Sequence, residues 1–414
     1  MVPRANSIPE PPGGAIRWGS AAAADLASPE AVRALLERAI ESRPTNAVLR
    51  LKLANVHLDR YDFAAAAGEL EVALRLDVEL EDARRRLARC YNMLRRHQDT
   101  LDVLRRCNGP VYERGLAYAA LGREADAVRE YRQVLADDPQ HNHACRRLSK
   151  LLRASGEVEA LADICETLHA RGVGHAQLLY TWGTALALAG RDDEARAVLL
   201  DASRVTELSL PLPDGFADHA AFNSALAGEI LTNPNRLSNF PIEDEANRGS
   251  SRVHALFAGR RPELFRALLE SLQQAIDGHR TPAAGSFDPW SNARPVQARL
   301  RGWGLIQRGG DYEEWHSHPG GWISGVYYVR VPGIVSASGE GPGCIEFGPP
   351  PPVARARPDL IPIMRRVPRA GTLLLAPSHY AHRTIPTGAD ENRISFAFDV
   401  VPDREPAAPG DGIR

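Results

Sequence analysis

The feature that most restricts how this chain can fold is a spacing. Small residues at Ala54, Ala88, Gly115, Ser149 and Gly183 are separated by 34, 27, 34 and 34 positions, and twelve residues after each stand Ala66, Thr100, Ala127, Leu161 and Ala195. Such a period marks stacked supersecondary units. Within the units apolar residues recur at steps of three and four, as in Ala127, Tyr131, Val134 and Leu135, the pattern of amphipathic helices. A small residue midway along a first helix lets a second helix approach closely, and neither buries its apolar stripe without a neighbouring pair. A helical solenoid over 29–206 follows.

The rest of the organisation is read from texture. Residues 1–28, rich in Pro, Gly and Ala without periodicity, are expected to be a flexible lead-in, and the tail 403–414 to fray. LSLPLPDGF and NPNRLSNFP interrupt the helical pattern around an expected helix at 218–232, which puts a domain boundary near 207. PELFRALLESLQQAIDGH at 262–279 opens with proline in its first turn, as a helix start does. From about 297 apolar residues come in short runs bounded by Gly and Pro (ARLRGWGLIQ, WISGVYYV, CIEF, GTLLLAP, RISFAFDV), the signature of strands. A closed or sandwiched antiparallel sheet over 207–402, with the 218–279 helices packed outside it, is expected.

Composition narrows the function classes. Hydrophobic residues make up 44% and charged residues 25%, enough for sizeable cores. Lys+Arg 50 against Asp+Glu 52, a net charge of −2, provides no field to recruit nucleic acid or an anionic membrane. Five cysteines, odd in number and without a CxxC, argue against a disulfide framework and a zinc ribbon. With no export signal or apolar span visible, a reducing cytoplasm is the expected location.

The candidate chemistry lies in the strand region. His316-Ser317-His318 falls between two strands, and residues at i and i+2 of extended chain point to one side, so both imidazoles can face one ion. Neutral imidazole is a good ligand for Fe(II), Zn or Cu, and His382, just beyond the apolar strand TLLLAP, is the candidate third ligand. His379 is read as structural, and the similar pair His141-Asn142-His143 as solvated surface. In RISFAFDV, Arg393 and Ser395 share one face, where Arg393 offers a two-pronged donor for a carboxylate. Tyr327 and Tyr328 are adjacent in a strand, so one must point inward and find a polar partner.

Two resemblances gather these observations. The 34-residue period, with Gly115, Tyr118, Ala127, Tyr131 and Pro139, resembles the tetratricopeptide repeat, at about five units over 45–206. The run Trp315-His316-Ser317-His318-Pro319 with Trp322-Ile323-Ser324-Gly325-Val326-Tyr327-Tyr328, then Gly371 to Ser378 and His382, then Arg393-Ile394-Ser395, resembles the 2-oxoglutarate/Fe(II) oxygenase family, relatives in fold of the prolyl hydroxylases.

That resemblance implies a double-stranded β-helix in which His316, His318 and His382 hold Fe(II). Arg393, with Ser395 and Tyr328, would grip the far carboxylate of 2-oxoglutarate. It implies an O2-using dioxygenase, by default a hydroxylase. The concave face of the repeats would take a peptide or protein substrate or partner; a small-molecule substrate stays open. The chain departs from the wider superfamily in having His318 where an Asp or Glu is usual. The set is then neutral, or a carboxylate comes from Glu314, Asp311 or Glu346. Two alternatives remain: a cupin-like three-His dioxygenase that does not use 2-oxoglutarate, and a non-catalytic repeat scaffold with a degenerate barrel.

Overall fold

The computed structural model describes residues 16–19, 29–238, 246–254, 256–278, 289–337 and 341–403. Its first part is an array of helices: α1 (Pro29–Ser42), α2 (Ala47–Asp59), α3 (Phe63–Leu76), α4 (Glu81–Met93), α5 (His97–Val103), α6 (Tyr112–Ala120), α7 (Glu124–Asp137), α8 (Asn142–Ala154), α9 (Val158–Ala170), α10 (Ala176–Leu188) and α11 (Asp192–Leu199). Each small residue of the repeat falls on the first helix of a pair, and its partner twelve positions on falls on the second. Ala54 and Ala66, Ala88 and Thr100, and Ala127 and Ala195 are all fully buried. The 27-residue interval has a simple origin: α5 is 7 residues long, where α3 and α7 have 14, and a single 3₁₀ turn at Leu104–Arg106 follows it.

The requirement for small side chains is visible at Gly115, where an added Cβ would stand 2.4 Å from Cε1 of Tyr131, itself fully buried. Gly183 meets Leu199 in the same way, at 2.7 Å. Gly115→Ala is therefore expected to destabilise the repeats by about 1–3 kcal/mol, the usual cost of overpacking. Urea unfolding followed by circular dichroism measures it; an unchanged midpoint would mean that the helix pair separates freely.

By compactness the array divides at Cys165. The helices up to Ile164 form one unit, with a core that includes Leu51, Ala66, Leu70 and Leu87. Cys165–Ser238 and the chain from Ala246 form the other, so α10 and α11 pack with the sheets.

The sheets are built from β1 (Arg17–Trp18), β2 (Thr206–Ser209), β3 (Arg236–Leu237), β4 (Asn247–Arg248), β5 (Ser251–Val253), β6 (Gln297–Gln307), β7 (Tyr312–Glu313), β8 (Ile323–Arg330), β9 (Ile345–Gly348), β10 (Met364–Arg366), β11 (Thr372–Pro377), β12 (Ala381–Thr384) and β13 (Arg393–Pro402). The major sheet runs β2-β11-β8-β13-β6-β5-β3, with β1 joining β6 in parallel; the other pairings in it are antiparallel. The second layer consists of β10-β9-β12 and the pair β4-β7. The architecture is thus a helical repeat array followed by a double-stranded β-helix. The helices α12 (His219–Thr232) and α13 (Pro262–Gly278) accompany the major sheet, α12 through a 2.7 Å hydrogen bond between Tyr327 on β8 and its Asn223, and α13 through Phe265, whose ring lies 6.5 Å from that of Phe396 on β13.

Two details go beyond the sequence reading. The interruption near 207 is itself a strand, β2, which extends the edge of the major sheet beside β11. Of the lead-in, Ile16–Gly19 are described, with Trp18 donating from Nε1 to Asp277 at 2.9 Å. The rest of 1–28, and 404–414, lie outside the described residues. No helix among the described residues is long and apolar enough to cross a membrane.

Candidate metal centre and cosubstrate pocket

The three histidines meet because the two layers of the barrel are stitched together at that point. His316 and His382 form an isolated antiparallel bridge, His316 N–H to His382 O at 3.0 Å and His382 N–H to His316 O at 2.9 Å. The His318 N–H is held by Ser378 O at 2.8 Å. One potential ligand atom from each imidazole then lies within 4.8 Å of the other two.

Hydrogen bonds at the far side of each ring decide which nitrogen faces inward. Nδ1 of His316 lies 2.7 Å from Glu314 O and Nδ1 of His382 lies 3.0 Å from Tyr380 O. Nδ1 of His318 lies 2.6 Å from the Asp399 carboxylate. Each of these oxygens only accepts, so each Nδ1 carries the proton and each Nε2 presents a lone pair. Nε2 of His316 and His318 stand 3.2 Å apart, a separation suited to two ligands about 2.1 Å from one cation. A cation relieves the opposition of these lone pairs, so the residues fit a metal.

The electrostatics favour neutral donors at two of the three positions. Burial holds His316 well below its ordinary value, with His382 and His318 adding to the effect. Burial, reinforced by His318, brings His382 down to about 4. At His318 burial also opposes charge, but the Asp399 carboxylate outweighs it and raises the imidazole. Asp399 in turn stays ionised despite burial through His318 and a 2.6 Å hydrogen bond from Ser324.

None of the three carboxylates considered as a fourth ligand joins the cluster. Glu314 pairs with Arg248 at 2.9 Å, Asp311 accepts from the Arg308 N–H at 2.8 Å, and the fully buried Glu346 is bound by both Arg365 and Arg383. The carboxylate that does reach the site, Asp399, stands behind a histidine and orients it. Asp399→Asn keeps the shape and removes the charge. It is expected to weaken metal binding about 10–100-fold, the range for outer-shell partners of histidine ligands; a Co(II) titration measures this, and an unaltered affinity would make the contact incidental.

The carboxylate-binding candidates occupy the same inner wall. Alternation along β13 puts Arg393, Ser395 and Asp399 on one face and Phe396 and Phe398 on the other. Arg393 is only 2% exposed, yet no carboxylate pairs with it among the described residues. Its guanidinium donates from Nε and Nη2 to Oε1 of Gln307 and from Nη1 to Gly343 O at 2.7 Å. Burial pulls it below the ordinary arginine value. Of the two adjacent tyrosines, Tyr328 faces inward, buried with Val205, Ile345, Phe347, Leu374, Ala376 and Tyr380. It stands opposite Ser395 in the β8–β13 register. Its hydroxyl makes no hydrogen bond among the described residues, and burial raises it. A buried cation without a counter-ion beside a spare hydroxyl fits a carboxylate.

His379 is structural, its Nε2 lying 2.8 Å from Val198 O. The pair His141 and His143 divides: His143 is exposed, whereas His141 caps α8, its Nδ1 accepting from the Ala144 N–H, and its ring lies 5.0 Å from that of Tyr112.

Residues 301–399 match the model of the family described as "Putative 2OG-Fe(II) oxygenase", a span that contains all three histidines, Tyr328, Arg393, Ser395 and Asp399. No curated protein matches the chain. Among solved structures the chain is similar to YrrB, a TPR protein with an unusual peptide-binding site, at 18% identity and TM-score 0.33, covering 41% of this chain and 94% of that one. It is also similar to a Pseudomonas putida prolyl-4-hydroxylase, at 14% identity and TM-score 0.31, covering 49% and 94%. The non-heme alpha ketoglutarate dependent epimerase SnoN is a third, at 17% identity and TM-score 0.32, covering 55% and 93%.

Two residues of the site escape a reading by motif. Asp399 lies 81 positions from His318, and its signal is an acid in an otherwise apolar strand, in phase with Arg393. Gln307 faces Arg393 across β6–β13 and shares its strand face with Trp303, whose ring stacks on His318 at 5.8 Å.

Proposed function

We propose that the protein is a 2-oxoglutarate- and Fe(II)-dependent dioxygenase that uses O2 to hydroxylate a peptide, protein or small-molecule substrate, with the repeats of 29–206 recruiting substrate or partner to the domain of 207–402. The observation that carries this reading is the presence, on one inner wall, of three convergent Nε2 atoms and a buried guanidinium lacking a carboxylate.

In this reading His316, His318 and His382 hold the iron through Nε2, and Asp399 fixes the tautomer and orientation of His318. Arg393, with Tyr328 and Ser395, binds the far carboxylate of 2-oxoglutarate. Bound iron and oxoacid would together supply the oxidising chemistry, 2-oxoglutarate losing CO2 and taking one oxygen atom of O2 to become succinate while the other passes to the substrate. The apolar cluster around Tyr328, with Phe347 lying 5.7 Å from His382, keeps water from this wall. Trp303, stacked on His318, restricts that ring further.

The test is succinate release from 2-oxoglutarate by the iron-loaded chain in air, alone and with candidate peptides. Turnover above an iron-only control supports the reading, and its absence under all conditions rejects it. The all-histidine set gives the cupin-like alternative a specific footing. Iron that is retained but spectroscopically indifferent to 2-oxoglutarate would select it, and failure to bind iron at all would select the scaffold.

A further inference from the structure

The pocket around Arg393 contains one group that neither the histidine cluster nor the arginine assignment uses. Gln307 is 1% exposed, and its Oε1 accepts from both Nε and Nη2 of Arg393. Only the oxygen of a carboxamide can face a guanidinium, so the orientation of the amide is fixed and Nε2 must point away. Nε2 is buried there and has no hydrogen-bond partner. An unpaired buried donor is costly, at about 1–3 kcal/mol, and in a native pocket it calls for an explanation.

The neighbouring groups are also donors in excess. Of the five N–H groups on a guanidinium, Arg393 uses three on Gln307 and Gly343, leaving one on each terminal nitrogen. The Tyr328 hydroxyl is likewise without a partner among the described residues. A wall that offers several unused hydrogens is complementary to an anion with two oxygens.

We infer that Gln307 is a ligand-binding residue of this pocket, its Nε2 donating to the same distal carboxylate that Arg393 receives. This rests on the proposed use of 2-oxoglutarate and adds to it. Gln307 then has two roles, holding the guanidinium through Oε1 and contacting the anion through Nε2. The experiment reads both roles through the distal carboxylate.

The full chain, loaded with Zn(II) so that no turnover occurs, is titrated calorimetrically with 2-oxoglutarate and, by competition, with 2-oxopentanoate, which has a methyl group in place of the distal carboxylate. The ratio of the two affinities reports only on contacts to that carboxylate. In Gln307→Met the ratio is expected to fall about 10-fold, as for loss of one hydrogen bond to a charged group, with Zn(II) affinity unchanged. Gln307→Glu, nearly equal in volume, replaces the donor by an anionic acceptor and is expected to lower the ratio further, so the inference stays testable if the Met variant does not fold. An unchanged ratio in either folded variant, or equal losses for both ligands, would overturn the assignment of Gln307. Failure of the unsubstituted chain to bind 2-oxoglutarate would instead overturn the proposed function.

Discussion

Replacing His382 with alanine should abolish iron binding while leaving the helical repeats intact. One ring nitrogen from each of the three histidines lies within 4.8 Å of the other two, and no carboxylate among the described residues stands with them to make up a lost ligand. Loss of an outer-shell partner alone costs about 10–100-fold in metal affinity, so loss of a direct ligand should exceed that range. The strand itself survives, because His382 is tied to His316 through backbone N–H and C=O groups that alanine retains. The helices up to Ile164 belong to a separate compact unit, so their circular dichroism should not change. A His379→Ala control separates ligation from support: His379 bonds Val198 O, and its loss should lower stability yet spare the metal. Full occupancy in His382→Ala, by metal analysis after dialysis, would eliminate the triad.

Arg393→Ala should weaken 2-oxoglutarate binding by about 10- to 150-fold, the equivalent of 1.5–3 kcal/mol for a charged hydrogen bond. The effect is large because the guanidinium is 2% exposed and lacks a carboxylate partner among the described residues, so the bound anion would be its counter-ion. Ligand-induced stabilisation follows RT ln(1 + [L]/Kd), and the thermal shift caused by a fixed 2-oxoglutarate concentration should shrink accordingly. Arg393→Lys should recover part of the affinity, since an ammonium supplies charge without the planar fork. Equal affinities for all three proteins, measured with the metal in place, would move the clamp elsewhere.

Much of this is legible in the amino-acid sequence because it depends on local periodicity. The spacing of small residues places all five helical pairs, and the expected strands at 298–308, 322–330 and 393–400 coincide closely with β6, β8 and β13. That one of the two tyrosines faces inward, the shared face of Arg393 and Ser395, and the common side of His316 and His318 follow from the two-residue repeat of a strand, while His382 is marked by its place just beyond the strand TLLLAP. What stayed hidden depends on pairing between distant segments. Asp399 reaches His318 only because β13 and the 316–318 turn are neighbours in space, and Gln307 meets Arg393 only through the β6–β13 register. Strand β2 was obscured by the prolines beside it, which mark a chain break as readily as an edge strand.

The joint between the last helical pair and the barrel bears directly on how the protein can be shortened. Tyr380, whose carbonyl holds the ring of His382, accepts through its hydroxyl from the Asp201 N–H at 2.8 Å, and Arg357 reaches back to Asp192 and to Ala187 O. The prop beneath the distal ligand is therefore the end of the repeat array. A trimmed chain beginning at Thr206 would keep every strand of the major sheet after β1 yet lose the Asp201 N–H that the Tyr380 hydroxyl accepts. One that begins ahead of Ala176 keeps the floor and the ligand together.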